Sequence, residues 1–345
     1  MLLEHINPDL NVQLLFGLGL GLLFGIAAQV SRFCLRRSVA GEDGADRAGL
    51  AVWLLALATA IIGVQWATGA GYAVLDSHRF LSNDIPVAAI LLGGLMFGAG
   101  MVLTRGCVTR LTVLSATGNL RALLVLLVFA ITAHAMMKGV LAPLRTGLSA
   151  PTIDLPLTTL SVIPGAAFVL PLILLAAVVW LARAARPKVL HLVMGVVIGL
   201  LVAAGWVGTS TLLMDDFDPT PVQSVAFTLP WADSLFWVIT SSAVPAGFGP
   251  GLIGGVFVGA FVSAALRKEL SLVSFTDGPQ TLRYIAGGAL MGVGGVLAGG
   301  CTTGAGLSGV SALSIAAMIA LAGMVAGAVA TRQVLVGKAG VTATA

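Results

Sequence analysis

The chain has 345 residues, 58% hydrophobic and only 9% charged, with 18 Lys+Arg against 14 Asp+Glu for a formal charge of +4. Soluble domains run at about 45–50% apolar and about 25% charged residues. That contrast excludes a soluble globular fold, and the low charge also excludes disorder and nucleic-acid binding.

A bilayer-spanning helix needs about 20 apolar residues. Nine long apolar runs meet that need in chain order: 11–31, 48–70, 86–103, 121–142, 158–182, 189–209, 248–266, 281–300 and 310–330. They predict an all-α polytopic membrane protein of about nine transmembrane helices. Before the first run only Glu4 and Asp9 are charged, so the basic start of a cleavable signal is missing. A shorter run, 231–246, is edged by Pro230, Pro245 and Gly247 and reads as a re-entrant or interfacial piece. The segment from Ser210 to Asp233 reads as an outer loop, with Asp215, Asp216, Asp218 and Asp233 solvated in it.

Alternating the runs from an outer N-terminus sorts the basic residues. Arg32, Arg36, Arg37, Arg47, Arg105, Arg110, Arg121, Arg183, Arg186, Lys188, Arg267, Lys268, Arg283, Arg332 and Lys338 fall inside; only Arg79, Lys138 and Arg145 fall outside. This bias sets the N-terminus outside and the C-terminus in the cytoplasm of an inner-membrane protein.

The chain also repeats itself. At an offset of 194, Gly93, Gly94, Gly98, Gly100, Val102, Leu103, Gly106, Cys107 and Thr109 fall on Gly287, Gly288, Gly292, Gly294, Val296, Leu297, Gly300, Cys301 and Thr303. At an offset of 232, Phe16, Gly17, Gly19, Leu20, Ala28, Val30 and Ser31 fall on Phe248, Gly249, Gly251, Leu252, Ala260, Val262 and Ser263. The first pair of runs is antiparallel in the predicted topology, as an inverted repeat requires; the second pair is parallel. The chain is read as one membrane domain, 1–345, with a first repeat half over 11–142, connecting helices and an outer loop over 143–247, and a second half over 248–345. Such repeats mark transporter folds, with the site at the repeat interface.

Both Gly-Cys turns, Gly106-Cys107-Val108-Thr109 and Gly300-Cys301-Thr302-Thr303, follow a Gly-rich apolar helix. A helix break there turns backbone N–H groups and the next helix N-terminus toward the gap, a setting that favours an anion. Thr109, Thr302 and Thr303 add hydroxyls. The glycines spaced by four, Gly17/Gly21/Gly25 and Gly251/Gly255/Gly259, read instead as close helix packing. Packing does not require a thiol at both repeat-related sites, and a third cysteine follows in Arg32-Phe33-Cys34. Metal-ligand spacing is absent. Polarisable thiols suit a sulfur-containing anion. Arg105 stands either at membrane depth beside Cys107 or at the inner surface as an anchor, and Arg110 reads as an anchor.

At these residues the chain resembles the YeeE/YedE family of membrane proteins, which includes thiosulfate transporters. The resemblance rests on three blocks: Gly21-Leu22-Leu23-Phe24-Gly25 through Arg32-Phe33-Cys34, Gly94-Leu95-Met96-Phe97-Gly98 through Gly106-Cys107, and Gly288-Ala289-Leu290-Met291-Gly292 through Gly299-Gly300-Cys301-Thr302-Thr303-Gly304. It implies an hourglass-shaped helical protein in which thiosulfate passes along three pore cysteines, here Cys34, Cys107 and Cys301. It also implies, in some members, a small cytoplasmic TusA-like sulfurtransferase as partner; no cofactor is expected. Arg105 and Arg110 depart from the small residues expected around the first Gly-Cys. The candidate translocation residues are Cys34, Arg105, Gly106, Cys107, Thr109, Gly300, Cys301, Thr302 and Thr303. A membrane sulfurtransferase or thiol redox protein, and a scaffold for a sulfur carrier, are the competing readings. No nucleotide-binding motif is present.

Overall fold

The computed structural model describes residues 11–342 apart from 43, 76–77, 155–156, 215–220 and 276, with side chains to 336. Glu4, Asp9, Asp215, Asp216, Asp218 and the Lys338 side chain lie outside the described residues.

The chain folds as α1 (Val12–Ser31), α2 (Leu35–Ala40), α3 (Arg47–Gly69), α4 (Val87–Leu103), α5 (Val108–Ala116), α6 (Leu120–Lys138), α7 (Ala142–Ser149), α8 (Ala166–Ala185), α9 (Val189–Val207), α10 (Thr228–Thr240), α11 (Phe248–Leu266), α12 (Gly278–Leu297) and α13 (Ile315–Thr342). The sheet content described is one pair, Asp84–Ile85 antiparallel to Ile153–Asp154. Asn11, Asp46, Asn119 and Asp277 start α1, α3, α6 and α12 by accepting backbone N–H groups of the first turn, which satisfies donors a helix leaves open at its start.

Among the described residues, eight stretches are long and apolar enough to cross a membrane: 12–40, 47–69, 87–116, 120–138, 166–185, 189–212, 248–266 and 315–336. The helix α12 opens on polar residues yet packs backbone to backbone along α4 from Gly287 to Gly294, so it lies in the same layer as the spanning helices. Helix α10, with 13 residues, is too short to span. The segment 210–233 is only partly a loop. Ser210 is buried in a π-helical turn, Gly208–Leu212, that prolongs α9, and Asp233 sits on α10. The run 158–182 also starts later than its hydropathy, because Leu160–Val162 forms a separate 3₁₀ turn before α8.

Glycine sets the helix packing. Along α1 a Cβ at Gly17, Gly21 or Gly25 would overlap the carbonyls of Phe248, Leu252 or Val256, and along α11 one at Gly251, Gly255 or Gly259 would overlap those of Leu14, Leu18 or Leu22. Residue numbers rise together, so the two helices run parallel with their backbones in contact. This is small-residue packing of membrane helices, and it explains the match at offset 232 as a packing seam. Helix α9 lies parallel against α3 in the same manner, with Gly195 on Val52 and Gly199 on Ala56.

The match at offset 194 is of a different kind. Gly93 meets Gly294, and Gly100 meets Gly287. Each contact is the other with its two partners exchanged, and α4 runs antiparallel to α12. Gly94 and Gly98 pack on α13 at Ala320 and Met324, while their repeat partners Gly288 and Gly292 pack on α6 at Val125 and Phe129. A two-fold rotation in the plane of the layer relates these blocks.

Candidate translocation site

Cys34 and Cys107 are the residues that open α2 and α5. Cys301 precedes the π-helical turn Gly304–Gly309. All three are buried and free, with Cys107 1% and Cys301 0% exposed. Each sulfur faces the backbone N–H three residues on: Cys34 that of Arg37, Cys107 that of Arg110, and Cys301 that of Gly304, the last at 3.3 Å. That is the place an N-cap side chain takes, where oxygen acceptors normally bind. A thiol holds the position weakly and leaves the donors available.

The structure brings most of the candidate residues together. Cys107 Sγ lies 3.7 Å from Cys34 Sγ, and Thr302 stands beside Cys107. Thr109 Oγ1 and Thr303 Oγ1, the repeat-related pair, are 2.7 Å apart in a hydrogen bond. The rotation that exchanges α4 with α12 therefore passes between these hydroxyls. Gly106 and Gly300 form the two turns that let this happen.

Arg105 is placed differently. It occupies a left-handed backbone position, φ 59°, and its repeat partner Gly299 has φ 76°. Glycine takes that region freely, whereas for other L-residues it costs roughly 1–2 kcal/mol. The Arg105 side chain is 48% exposed and pairs with Glu42 at 3.3 Å, away from the thiols. Arg110, expected as an anchor, is the arginine that approaches them. It lies within electrostatic reach of Cys34 and Cys107, and its Nη1 donates to Gln29 Oε1 at 3.2 Å. Gln29 Nε2 in turn donates to Glu269 Oε2 at 2.9 Å.

A cavity of about 420 Å³ reaches the Cys301 turn. Gly299, Gly300 and Gly304 line it, with His78, Arg79, Trp206, Gln223 and Ser308 around the walls. Arg79 Nη2 donates to Gly299 O at 2.6 Å. Sequence reasoning counted Arg79 only as an exception to the charge bias, and nothing around it formed a motif.

His78 supports this mouth in its neutral form. Its Nδ1 accepts the Phe80 N–H at 3.2 Å, and its ring packs on Phe80 and Trp206. Burial, with the Arg79 charge beside it, lowers its pKa from 6.5 to about 4. Between those values the unfolded chain binds more protons than the folded one, so stability falls as pH drops through the window and is full above 6.5. Melting of the detergent-solubilised protein is expected to lose at most about 3 kcal/mol from pH 6.5 to 4 through this group. His78→Asn is expected to flatten that slope.

A family profile described as sulphur transport matches residues 23–330. The chain belongs to the sulphur transport family. Among curated relatives, the thiosulfate transporter TsuA of Escherichia coli (strain K12) is 26% identical over 324 residues, covering 86% of this chain and 87% of its own. The thiosulfate transporter TsuA of Spirochaeta thermophila (strain ATCC 700085 / DSM 6578 / Z-1203) is 27% identical over 324 residues, covering 88% and 93%. For this family member, the helices establish a multi-pass membrane protein.

Proposed function

We propose that this protein is a permease for thiosulfate, in which the ion passes along Cys301, Cys107 and Cys34 without bonding covalently to any of them. The observation that carries the reading is the shared geometry of the three thiols. Each presents a soft sulfur and a backbone N–H three residues on, and the glycines flanking Cys301 line a cavity walled by Arg79. Thiosulfate has a soft terminal sulfur and three hard oxygens. The thiols suit the first, and N–H groups and the Thr109, Thr302 and Thr303 hydroxyls suit the second. The two relatives named as thiosulfate transporters support the substrate.

The ion would enter at the Cys301 turn and leave past Cys34 and Arg110. The inner basic excess supports an outer N-terminus and a cytoplasmic C-terminus in the inner membrane. We further propose that the repeat halves comprise α1–α6 and α9–α13, since α1 packs on α11 as α9 packs on α3. Entry of a dianion against 100 mV costs about 4.6 kcal/mol, at about 2.3 per charge. Net uptake therefore relies on consumption inside, and a TusA-like sulfurtransferase at the inner face is the partner that fits. The 3.7 Å separation of Cys34 and Cys107 keeps the thiol-redox reading as the second one.

Uptake of radiolabelled thiosulfate into proteoliposomes tests the function. Saturable uptake that excess sulfate competes with only weakly is expected. Uptake equal to that of empty vesicles would remove thiosulfate as the substrate.

A further inference from the structure

Of the three basic residues that the charge bias left outside, Arg79 is distant in sequence from Lys138 and Arg145, and the fold collects them. Arg79, Lys138 and Arg145 line one cavity of about 190 Å³, together with Thr228 and Gly295. They come from the loop before α4, the end of α6, and α7, while Thr228 opens α10. We propose that this cavity is a separate binding site for a small tetrahedral oxyanion, which loads the cysteine path from outside. The proposal rests on the permease reading above for its role, and on the cavity alone for its existence.

Four observations carry it. The first is charge. Asp233 lies within electrostatic reach of Lys138 but does not line the cavity, so three cations and one acid leave a net positive charge that suits a dianion. The second is an unpartnered donor. Thr228 is 5% exposed, and among the described residues its Oγ1 has no hydrogen-bond partner, a costly state for a buried hydroxyl unless a ligand satisfies it.

The third is a difference between the repeats, glycine standing in one of them where the other has a buried side chain. A Cβ at Gly295 would stand 3.1 Å from Thr228 Oγ1. The repeat partner of Gly295 is Met101, which is fully buried. The first half carries a buried Met side chain at this position, whereas in the second half Gly295 lies against Thr228 Oγ1 and the Phe97 ring and lines the cavity. The volume suits an inorganic ion rather than an organic ligand, whose pockets begin at about 300 Å³. The fourth is position. Arg79, Leu229 and Gly299 line both this cavity and the one above Cys301. An ion held here is one side chain away from the entrance, and Arg79 can contact it on either side.

Thiosulfate and sulfate share the chemistry this site reads, since it contains no thiol. It selects for charge and shape, and the cysteines then select for the soft sulfur. The test uses the purified full-length protein with Lys138→Met, Thr228→Val and Gly295→Met. Thermal unfolding is measured in sulfate or thiosulfate against chloride at equal ionic strength, and thiosulfate uptake is measured in proteoliposomes.

Wild type is expected to be stabilised by both oxyanions, and each variant to need roughly tenfold more of either. The uptake KM should rise by a similar factor, with the maximal rate held within about twofold. Thr228→Val decides the matter because it changes no charge and removes only an unpaired hydroxyl. It is expected to fold as wild type does in chloride. Unchanged oxyanion stabilisation and KM in Thr228→Val would overturn the site, even if Lys138→Met weakened both, because diffuse attraction would explain the lysine alone. Stabilisation by oxyanions that the variants lose, in a wild type that takes up no thiosulfate, would confirm the site and reject the permease reading.

Discussion

Cys301→Ala and Cys107→Ala are each expected to lower thiosulfate uptake at least roughly tenfold with the fold intact. Both thiols are buried and each is set against one backbone N–H, so alanine removes the soft group and leaves the turn. Losing one hydrogen bond to a charged group is worth about 1.5–3 kcal/mol, which in a rate is roughly ten- to a hundredfold. Serine separates two accounts of that loss. If any small polar group sufficed, Cys301→Ser would restore uptake. The thiol account expects serine to stay slow, because a hard hydroxyl favours the sulfonate end and holds the ion. Initial uptake rates with matched protein levels check this, and gel filtration confirms that each variant is folded.

The second large effect concerns the packing of α1 on α11. Gly21→Ala is expected to destabilise the protein by roughly 1–3 kcal/mol or more, because a Cβ there would overlap the Leu252 carbonyl. Backbone cannot give way as a side-chain tip can, so the two helices must part along their length. Gly19→Ala is the control on the same helix. A Cβ at Gly19 would meet nothing within 4 Å, and alanine is the better helix former by up to about 1 kcal/mol. Melting curves of the two variants should therefore move in opposite directions from wild type.

These glycines also show where the sequence could be read and where it could not. The spanning helices were legible because each needs some 20 apolar residues, whatever its neighbours are. The Gly-Cys-x-Thr repeat was legible because a thiol and a turn recur at fixed spacing, and the reciprocal contacts of Gly93 and Gly100 with α12 follow it. The match of Phe16–Ser31 with Phe248–Ser263 carried the same small-residue pattern for another reason. Two helices that press their backbones together need glycine at the same interval on both sides, so complementarity imitates repetition.

Single charged residues were less legible still. Arg105 and Arg110 lie on either side of Cys107 in sequence, but the left-handed turn sends Arg105 toward Glu42, while α5 carries Arg110 toward the thiols. Periodicity does not distinguish these directions. Arg79, Lys138 and Arg145 carry no motif at all. Only tertiary packing brings them to one cavity, and only the fold reveals that Thr228 there has no partner among the described residues.

The central claim is that thiosulfate crosses intact along buried thiols. Thiosulfate labelled differently on its terminal and central sulfur atoms tests it most directly, with proteoliposome contents and intact protein mass measured during uptake. The account predicts both labels inside in equal amounts and a protein of unchanged mass. Terminal label retained on the protein as one added sulfur atom at a cysteine, with sulfite released, would contradict it and make the protein a sulfurtransferase.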